Sequence, residues 1–324
     1  MMHLDKIFAS YESDLKIVEE RIRDLFESPV FAIPMIGKHI LDGGGKRLRP
    51  LIMLLSAELS GYKGDARFTL AGIVESIHTA SLLHDDVIDG ADIRRGKVPA
   101  HSVWGNQVVI LVGDYLYSNA LRQAVLQKSQ GIMESLSEAT TRMTEAEILQ
   151  LLKTADPDIT EEEYLNIISG KTAALISAAC RIGAMLGSVS SIQEKALADF
   201  GKKTGIAFQM ADDILDYTAD EAELGKRLGK DLKEGKITLP LIYLLKAASK
   251  DELQEVKAII KGSFKVSGLR KILKLFKRYD TIGLSLKKAR EIILEAKGEL
   301  TAFPDSSAKE ALFTIADYTL LRKK

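Results

Sequence analysis

A chain of 324 residues is long enough for one large domain or two ordinary ones. Apolar residues make up 46% and charged residues 28%, the balance of a soluble globular protein with a sizeable core. Lysine plus arginine and aspartate plus glutamate both number 45, which excludes the net-charge footprint of a nucleic-acid binder and leaves any anion-binding surface local.

Hydrophobic periodicity is helical nearly everywhere. Ile7, Tyr11, Leu15, Val18, Ile22 and Leu25 recur at steps of three and four residues, and Pro29 ends that helix. A short helix leads into Asp42-Gly43-Gly44-Gly45-Lys46-Arg47-Leu48-Arg49-Pro50, and an apolar helix over 51–59 stops at Gly61. A long helix is predicted from Ala66 to Asp89, followed by a polar loop over 90–105. Helices are then expected at 106–128, 131–154, 160–187 and 190–217, a second polar loop at 218–236, and shorter helices over 237–324. Alternating strand patterns, repeats beyond two short aspartate clusters, and interdomain linkers are absent, so the expectation is a single all-α domain over 1–324.

The single Cys180 excludes an internal disulfide framework and fits a reducing compartment. The first 27 residues are amphipathic and lack the apolar core of a signal peptide. Apolar runs around 51–55 and 108–112 are too short to span a bilayer. The expectation is a cytoplasmic protein with no transmembrane segment, compatible with peripheral contact at a membrane surface.

Two stretches dominate the chemistry. Asp85-Asp86-Val87-Ile88-Asp89 and Asp212-Asp213-Ile214-Leu215-Asp216 share one D-D-x-x-D spacing, which puts the outer aspartates of each on one helical face. Such carboxylates repel one another and cost stability when desolvated. One cluster reads as a solvated helix end; two ask for a shared counter-charge. Mg²⁺ is the natural candidate, because it prefers oxygen ligands and also takes oxygens from phosphorylated substrates.

The flanks are informative mainly together. Gly43 to Arg49 is not a P-loop, since Arg47 stands where Ser or Thr is needed. It presents Lys46, Arg47 and Arg49 at a helix start, where anions are favoured, or it is merely a basic loop. Glu75 and His78 have the E-x-x-H spacing of di-iron bundles, which need two copies; this chain has one. His78 is then either a buried histidine or a neighbour of Asp85, seven residues on and close to two turns away. Arg94 and Arg95 suit an anion that also bridges metals. Lys171-Thr172, Gln209 and Lys230-Asp231 are individually plain, and with Lys236 the second loop has the makings of a cationic flap.

Taken together and in order, G-G-K-R-L-R-P, E-x-x-H-x-A-S-L-L-H-D-D-x-x-D with R-R-G after it, K-T, F-Q-x-x-D-D-x-x-D, G-K-D and G-K-x-T-L-P resemble the trans-isoprenyl diphosphate synthases, or polyprenyl synthetase family. The resemblance implies a bundle of long helices around a deep central cavity, usually a homodimer. It implies that Asp85 and Asp89, assisted by Asp86, hold Mg²⁺ on an allylic diphosphate, with Asp212, Asp213 and Asp216 as the facing cluster. Several Mg²⁺ ions are implied, with Mn²⁺ a substitute. Arg94, Lys171, Thr172, Gln209 and Lys230 would bind the allylic diphosphate, and Lys46, Arg49, His78 and Arg95 isopentenyl diphosphate. The activity implied is Mg²⁺-dependent condensation of isopentenyl diphosphate with an allylic primer such as farnesyl diphosphate.

Product length is read one turn upstream. Ala80 and Ser81 precede Asp85 where short-chain members of the family place an aromatic floor, so a long all-trans product is expected. The range is C30–C50, octaprenyl the best single value, for a quinone side chain; a block lower down, around 109–116, is the alternative. The competing readings are a short-chain farnesyl or geranylgeranyl diphosphate synthase and a non-catalytic subunit of a heteromeric synthase.

Overall fold

Three- and four-residue apolar spacing becomes helix throughout. The computed structural model describes residues 4–94, 96–218, 228–262 and 264–321. In chain order the helices are α1 (Leu4–Ser10), α2 (Glu12–Asp24), α3 (Ala32–Leu41), α4 (Leu48–Leu59), α5 (Ala66–Ile88), α6 (Ala100–Trp104), α7 (Asn106–Leu126), α8 (Gln130–Leu152) and α9 (Glu161–Ile168). A π-helical turn, Ser169–Ala173, joins α9 to α10 (Ala174–Leu186). The rest are α11 (Ser191–Leu215), α12 (Lys230–Lys233), α13 (Leu239–Ala247), α14 (Lys250–Lys261), α15 (Val266–Tyr279), α16 (Thr281–Glu299) and α17 (Ser307–Leu321). Among the described residues the only extended pairing is the isolated bridge between Arg94 and Lys97.

Two compact units emerge. The first comprises Met1–Thr140, Ala178–Ala198 and Ala302–Thr314; the second comprises Thr141–Ser177, Asp199–Thr301 and Ile315–Lys324. In the first, α5 is the central element and packs on α2, α4 and α7. Its buried face includes Phe68, Ile73, Val74, Ile77, Ala80 and Leu83. Helix α7 approaches the end of α5 so closely that a Cβ on Gly113 would lie 2.4 Å from His84 Nε2. That space lets His84 Nε2 donate to the Ile110 carbonyl at 3.1 Å and tie the motif-bearing end of α5 to α7.

The second unit buries Tyr164, Ile167 and Ile168 of α9, Met210 of α11, Leu241 and Leu244 of α13, and Leu269, Ile272 and Phe276 of α15 in one core. Its helix starts carry their own signals. Thr160 with Glu163 and Ser249 with Glu252 form capping boxes, and Pro240 sits in the first turn of α13.

The boundaries predicted for the long helices differ from those observed by one or two residues. Three features differ in kind. The first predicted helix is two, α1 and α2, interrupted at Tyr11, whose hydroxyl donates to Glu58 on α4. Both predicted loops contain a short helix, α6 in the first and α12 in the second. Finally, the continuous helix Glu161–Leu186 is long and apolar enough to cross a membrane, contrary to the expectation that no segment is. Of its most apolar window 72% is buried inside the protein, as in the core helix of a folded domain.

Candidate active site

Each aspartate motif sits at the C-terminal end of a long helix. That end already carries unpaired carbonyls and the negative pole of the helix dipole, so three added carboxylates accumulate charge that calls for a cation. On α5 the helix closes as Asp89 N–H donates to the Asp85 carbonyl at 2.8 Å and Ala91 N–H to the Asp86 carbonyl at 3.0 Å. Gly90 supplies the left-handed residue, φ 58°, that the reversal needs.

In the first motif the middle carboxylate points inward. Asp86 is only 5% exposed, and it accepts from Arg94 Nε at 2.7 Å and from Arg94 Nη2. Arg94 stands on a tight turn in which its N–H and carbonyl pair with those of Lys97, both at 2.9 Å. Lys97 Nζ donates to the Asp42 carbonyl at 2.7 Å, and His39 Nε2 to the Val98 carbonyl at 3.0 Å. The arginine turn is thereby tied to the glycine-rich segment before α4. A cleft of about 60 Å³ lies here, lined among others by His39, Arg47, Thr79, Asp86, Arg94 and Lys97. Arg95 lies outside the described residues.

The basic segment divides into an outer and an inner part. Lys46 is exposed, and Arg49 and His78 are half-buried. Arg47 is buried in a left-handed conformation, φ 48°, with Nη1 donating to Glu75 at 3.2 Å and Nε to Glu19 at 3.3 Å. Glu75 thus pairs with Arg47, which is buried between two carboxylates. Ala80 is buried, and half-buried Ser81 turns its hydroxyl back onto the His78 carbonyl at 2.9 Å.

In the second motif the middle carboxylate is again buried but held by neutral groups. Asp213, 6% exposed, accepts from the Tyr164 hydroxyl at 2.6 Å and from Gln209 Nε2 at 2.8 Å. Gln209 Oε1 in turn accepts from the Thr172 hydroxyl at 2.7 Å. This relay depends on Gly205, where a Cβ would meet Ala173 Cα at 2.6 Å; the bare backbone lets α11 lie against the π turn. Lys171 Nζ, beside Thr172, donates to Glu147 at 2.5 Å and Gln150 at 2.7 Å. Asp216 accepts the backbone N–H groups of Lys230 and Asp231 at 3.1 and 3.0 Å.

Burial, and then the charges of Asp212 and Asp216, push the Asp213 carboxyl up to about 6, against the pull of its two hydrogen bonds. Burial also raises Asp216, although the two N–H groups it accepts draw it back. Asp231, at the head of α12, is raised well above the carboxylate range by burial and by Asp213 and Asp216, with Lys236 opposing. A cleft of about 130 Å³ opens beside these groups, lined among others by Lys153, Tyr164, Lys171, Asp213, Asp231 and Lys236. Tyr164 belongs to none of the sequence motifs. Its only signal there is a position two helical turns before Lys171.

Among the described residues no three His, Cys, Asp or Glu side chains converge into a ready-made metal cage. This does not conflict with Mg²⁺, which is usually held by one or two carboxylates with water and substrate phosphate completing the shell. The carboxylates around the second motif fit such an ion, being oxygen donors that burial, and then neighbouring negative charge, already drive toward positive charge.

Two such aspartate motifs at helix ends in an all-helical chain define a trans-prenyltransferase of the isoprenoid synthase fold. The chain belongs to the polyprenyl synthetase family, whose model matches residues 32–276. It is 38% identical over 323 residues, the full length of both chains, to the octaprenyl diphosphate synthase of Escherichia coli strain K12. It is 36% identical over 330 residues, again the full length of both, to a short chain isoprenyl diphosphate synthase of Methanothermobacter thermautotrophicus. A polyprenyl synthase from Caulobacter crescentus CB15, solved with calcium and isoprenyl diphosphate, matches at a TM-score of 0.93 and 38% identity over 99% of this chain and 98% of that one.

Proposed function

We propose that this enzyme extends an allylic primer, farnesyl diphosphate, with isopentenyl diphosphate to a long all-trans polyprenyl diphosphate, C40 the principal product, for a quinone side chain. The observation that carries the reading is the end-to-end similarity to an octaprenyl diphosphate synthase, with both D-D-x-x-D motifs complete. The family match draws on residues of both compact units, which supports one catalytic domain. On the family resemblance the enzyme is a cytoplasmic homodimer.

Asp85, Asp89, Asp212 and Asp216 would hold several Mg²⁺ ions. When bound, these ions neutralise diphosphate oxygens and so ease ionisation of the allylic C–O bond. Lys171, Arg94 and Lys230 add fixed positive charge to the departing diphosphate, and Thr172 with Gln209 orients it. Lys46, Arg49, His78 and Arg95 hold isopentenyl diphosphate so that its double bond attacks the allylic carbon, after which a proton is lost. Arg94 gives two of its five N–H donors to Asp86 and keeps the others for this task. Asp86 and Asp213 act by holding their neighbours in place.

The test is product chromatography with farnesyl diphosphate, isopentenyl diphosphate and Mg²⁺. Products of C30–C50 centred on C40 support the assignment, and a predominance of C15 or C20 overturns it. That outcome would favour the short-chain reading, for which the full-length similarity to a short chain synthase is the specific observation. Ser81→Phe should shorten the product by several isoprene units while turnover stays within about tenfold, because each helical turn of about 5.4 Å approximates one extended unit. An unchanged distribution removes Ser81 from the tunnel wall. Val109, Val112 and Leu116, buried on α7, are then the next candidates for the floor.

A further inference from the structure

The chain is electrically neutral as a whole, yet residues 256–279 carry eight lysines or arginines and no acidic residue. The structure concentrates this excess on α15. That helix buries Leu269, Ile272, Leu275 and Phe276 and leaves Arg270, Lys271, Lys274, Lys277 and Arg278 exposed. Two of the five turn toward α14, where Lys271 pairs with Glu255 and Arg278 with Glu252. Arg270, Lys274 and Lys277 have no ion-pair partner among the described residues. Their spacing of i, i+4 and i+7 puts them on one face, with exposed Val266 at its head. Lys265, at the N-cap, extends the same positive edge.

We propose that this face of α15 docks the enzyme on an anionic lipid bilayer. Charge complementarity selects a negatively charged surface: clustered lysines and arginines on an amphipathic helix adsorb to anionic headgroups, and the attraction fades within a Debye length. Because the apolar face of α15 is packed in the core, adsorption is electrostatic and does not insert the helix. Lipid is chosen over nucleic acid for two reasons. The exposed face has no aromatic side chain on which a base would stack, since Phe276 is buried and the Tyr279 hydroxyl is bonded to Glu252. Moreover, a polyprenyl diphosphate of eight units is a lipid, and a bilayer is the phase that accepts it. This second reason rests on the long-chain reading proposed above.

The experiment is co-sedimentation of the purified full-length chain with vesicles of phosphatidylcholine alone or with about 30 mol % phosphatidylglycerol, at about 50 and 300 mM salt. Partition onto the anionic vesicles should exceed that onto neutral ones at least tenfold at low salt and fall at high salt. The triple variant Arg270→Gln, Lys274→Gln, Lys277→Gln should lose at least tenfold of it. These residues are solvent-facing and outside the proposed catalytic groups, so activity in detergent should stay within twofold. Equal binding to neutral vesicles, undiminished binding by the triple variant, or retention by RNA or an acidic protein without vesicle binding overturns the proposal. Product length in detergent is measured in parallel. If only C15 or C20 forms while the vesicle results hold, the long-chain reading fails and the docking surface stands.

Discussion

The two aspartate motifs have the same spacing and the same place at a helix C-terminus, but their middle residues are anchored in opposite ways. Asp86 is buried against a cation, the guanidinium of Arg94. Asp213 is buried against two neutral donors, Tyr164 and Gln209, among other carboxylates. An ion pair compensates the desolvation of its carboxylate directly, whereas neutral donors compensate it in part. The second motif therefore holds a carboxyl that burial pushes toward taking up a proton, and its charge state responds to a cation arriving beside it. The first motif is preset; the second is conditional.

The largest expected effect tests what the motifs share. Asp85→Ala and Asp212→Ala should each lower kcat by about 10³-fold or more, as loss of a principal electrostatic group does; a loss below tenfold in either would remove that residue from the proposed metal set. Next in size is the contrast itself. Asp86→Asn should cost about 1–2 kcal/mol of stability by leaving Arg94 unpaired, discounted because that arginine is partly exposed. Asp213→Asn, which relieves a buried charge, should be neutral or stabilising in the metal-free protein. Chemical denaturation without divalent ions checks both, and equal destabilisation would collapse the distinction.

Tyr164→Phe is a smaller perturbation, deleting one hydroxyl from a packed site. It should lower kcat about tenfold and raise the Mg²⁺ concentration needed for half-maximal rate, with the KM for isopentenyl diphosphate unchanged. If the rate and its metal dependence stay at wild-type values, Tyr164 is a packing residue only. A further effect is in pH. Asp213 is pushed up from an ordinary value near 3.8 to about 6, so between these values the folded chain holds a proton that the unfolded chain releases. Metal-free stability should therefore fall as pH rises from about 4 to 6, and Asp213→Asn should flatten that slope. A melting temperature that rises over the same window in the wild type would show the sign to be wrong.

Much of this was legible in the sequence because it is local. Apolar periodicity set the long helices, and the D-D-x-x-D clusters fell at helix ends where glycine and polar residues follow. The illegible parts depend on partners far along the chain. Arg47 reads as one more solvated cation of a glycine loop, yet its partners Glu19 and Glu75 each lie 28 residues away and bury it. Tyr164 reads as a core aromatic until Asp213, 49 residues on, accepts its hydroxyl. Asp231 reads as one residue of a polar, cationic loop, and its burial depends on the fold around α12. Division into two compact units has no composition shift or linker to announce it.

The helix from Glu161 to Leu186 has a consequence for how the chain is made. By length and apolarity alone it would pass for a membrane span as it leaves the ribosome. In the folded protein most of its apolar window is buried, and the partners of Lys171 and Thr172 at its π turn emerge at different times. Glu147 and Gln150, which hold Lys171, are synthesised before it; Gln209, which receives Thr172, follows 37 residues later. The lysine's partners thus precede it in synthesis, while the threonine gains its folded-state partner only when α11 is complete. Nascent chains arrested before Gln209 are the ones in which this helix would be most exposed to misrouting or aggregation.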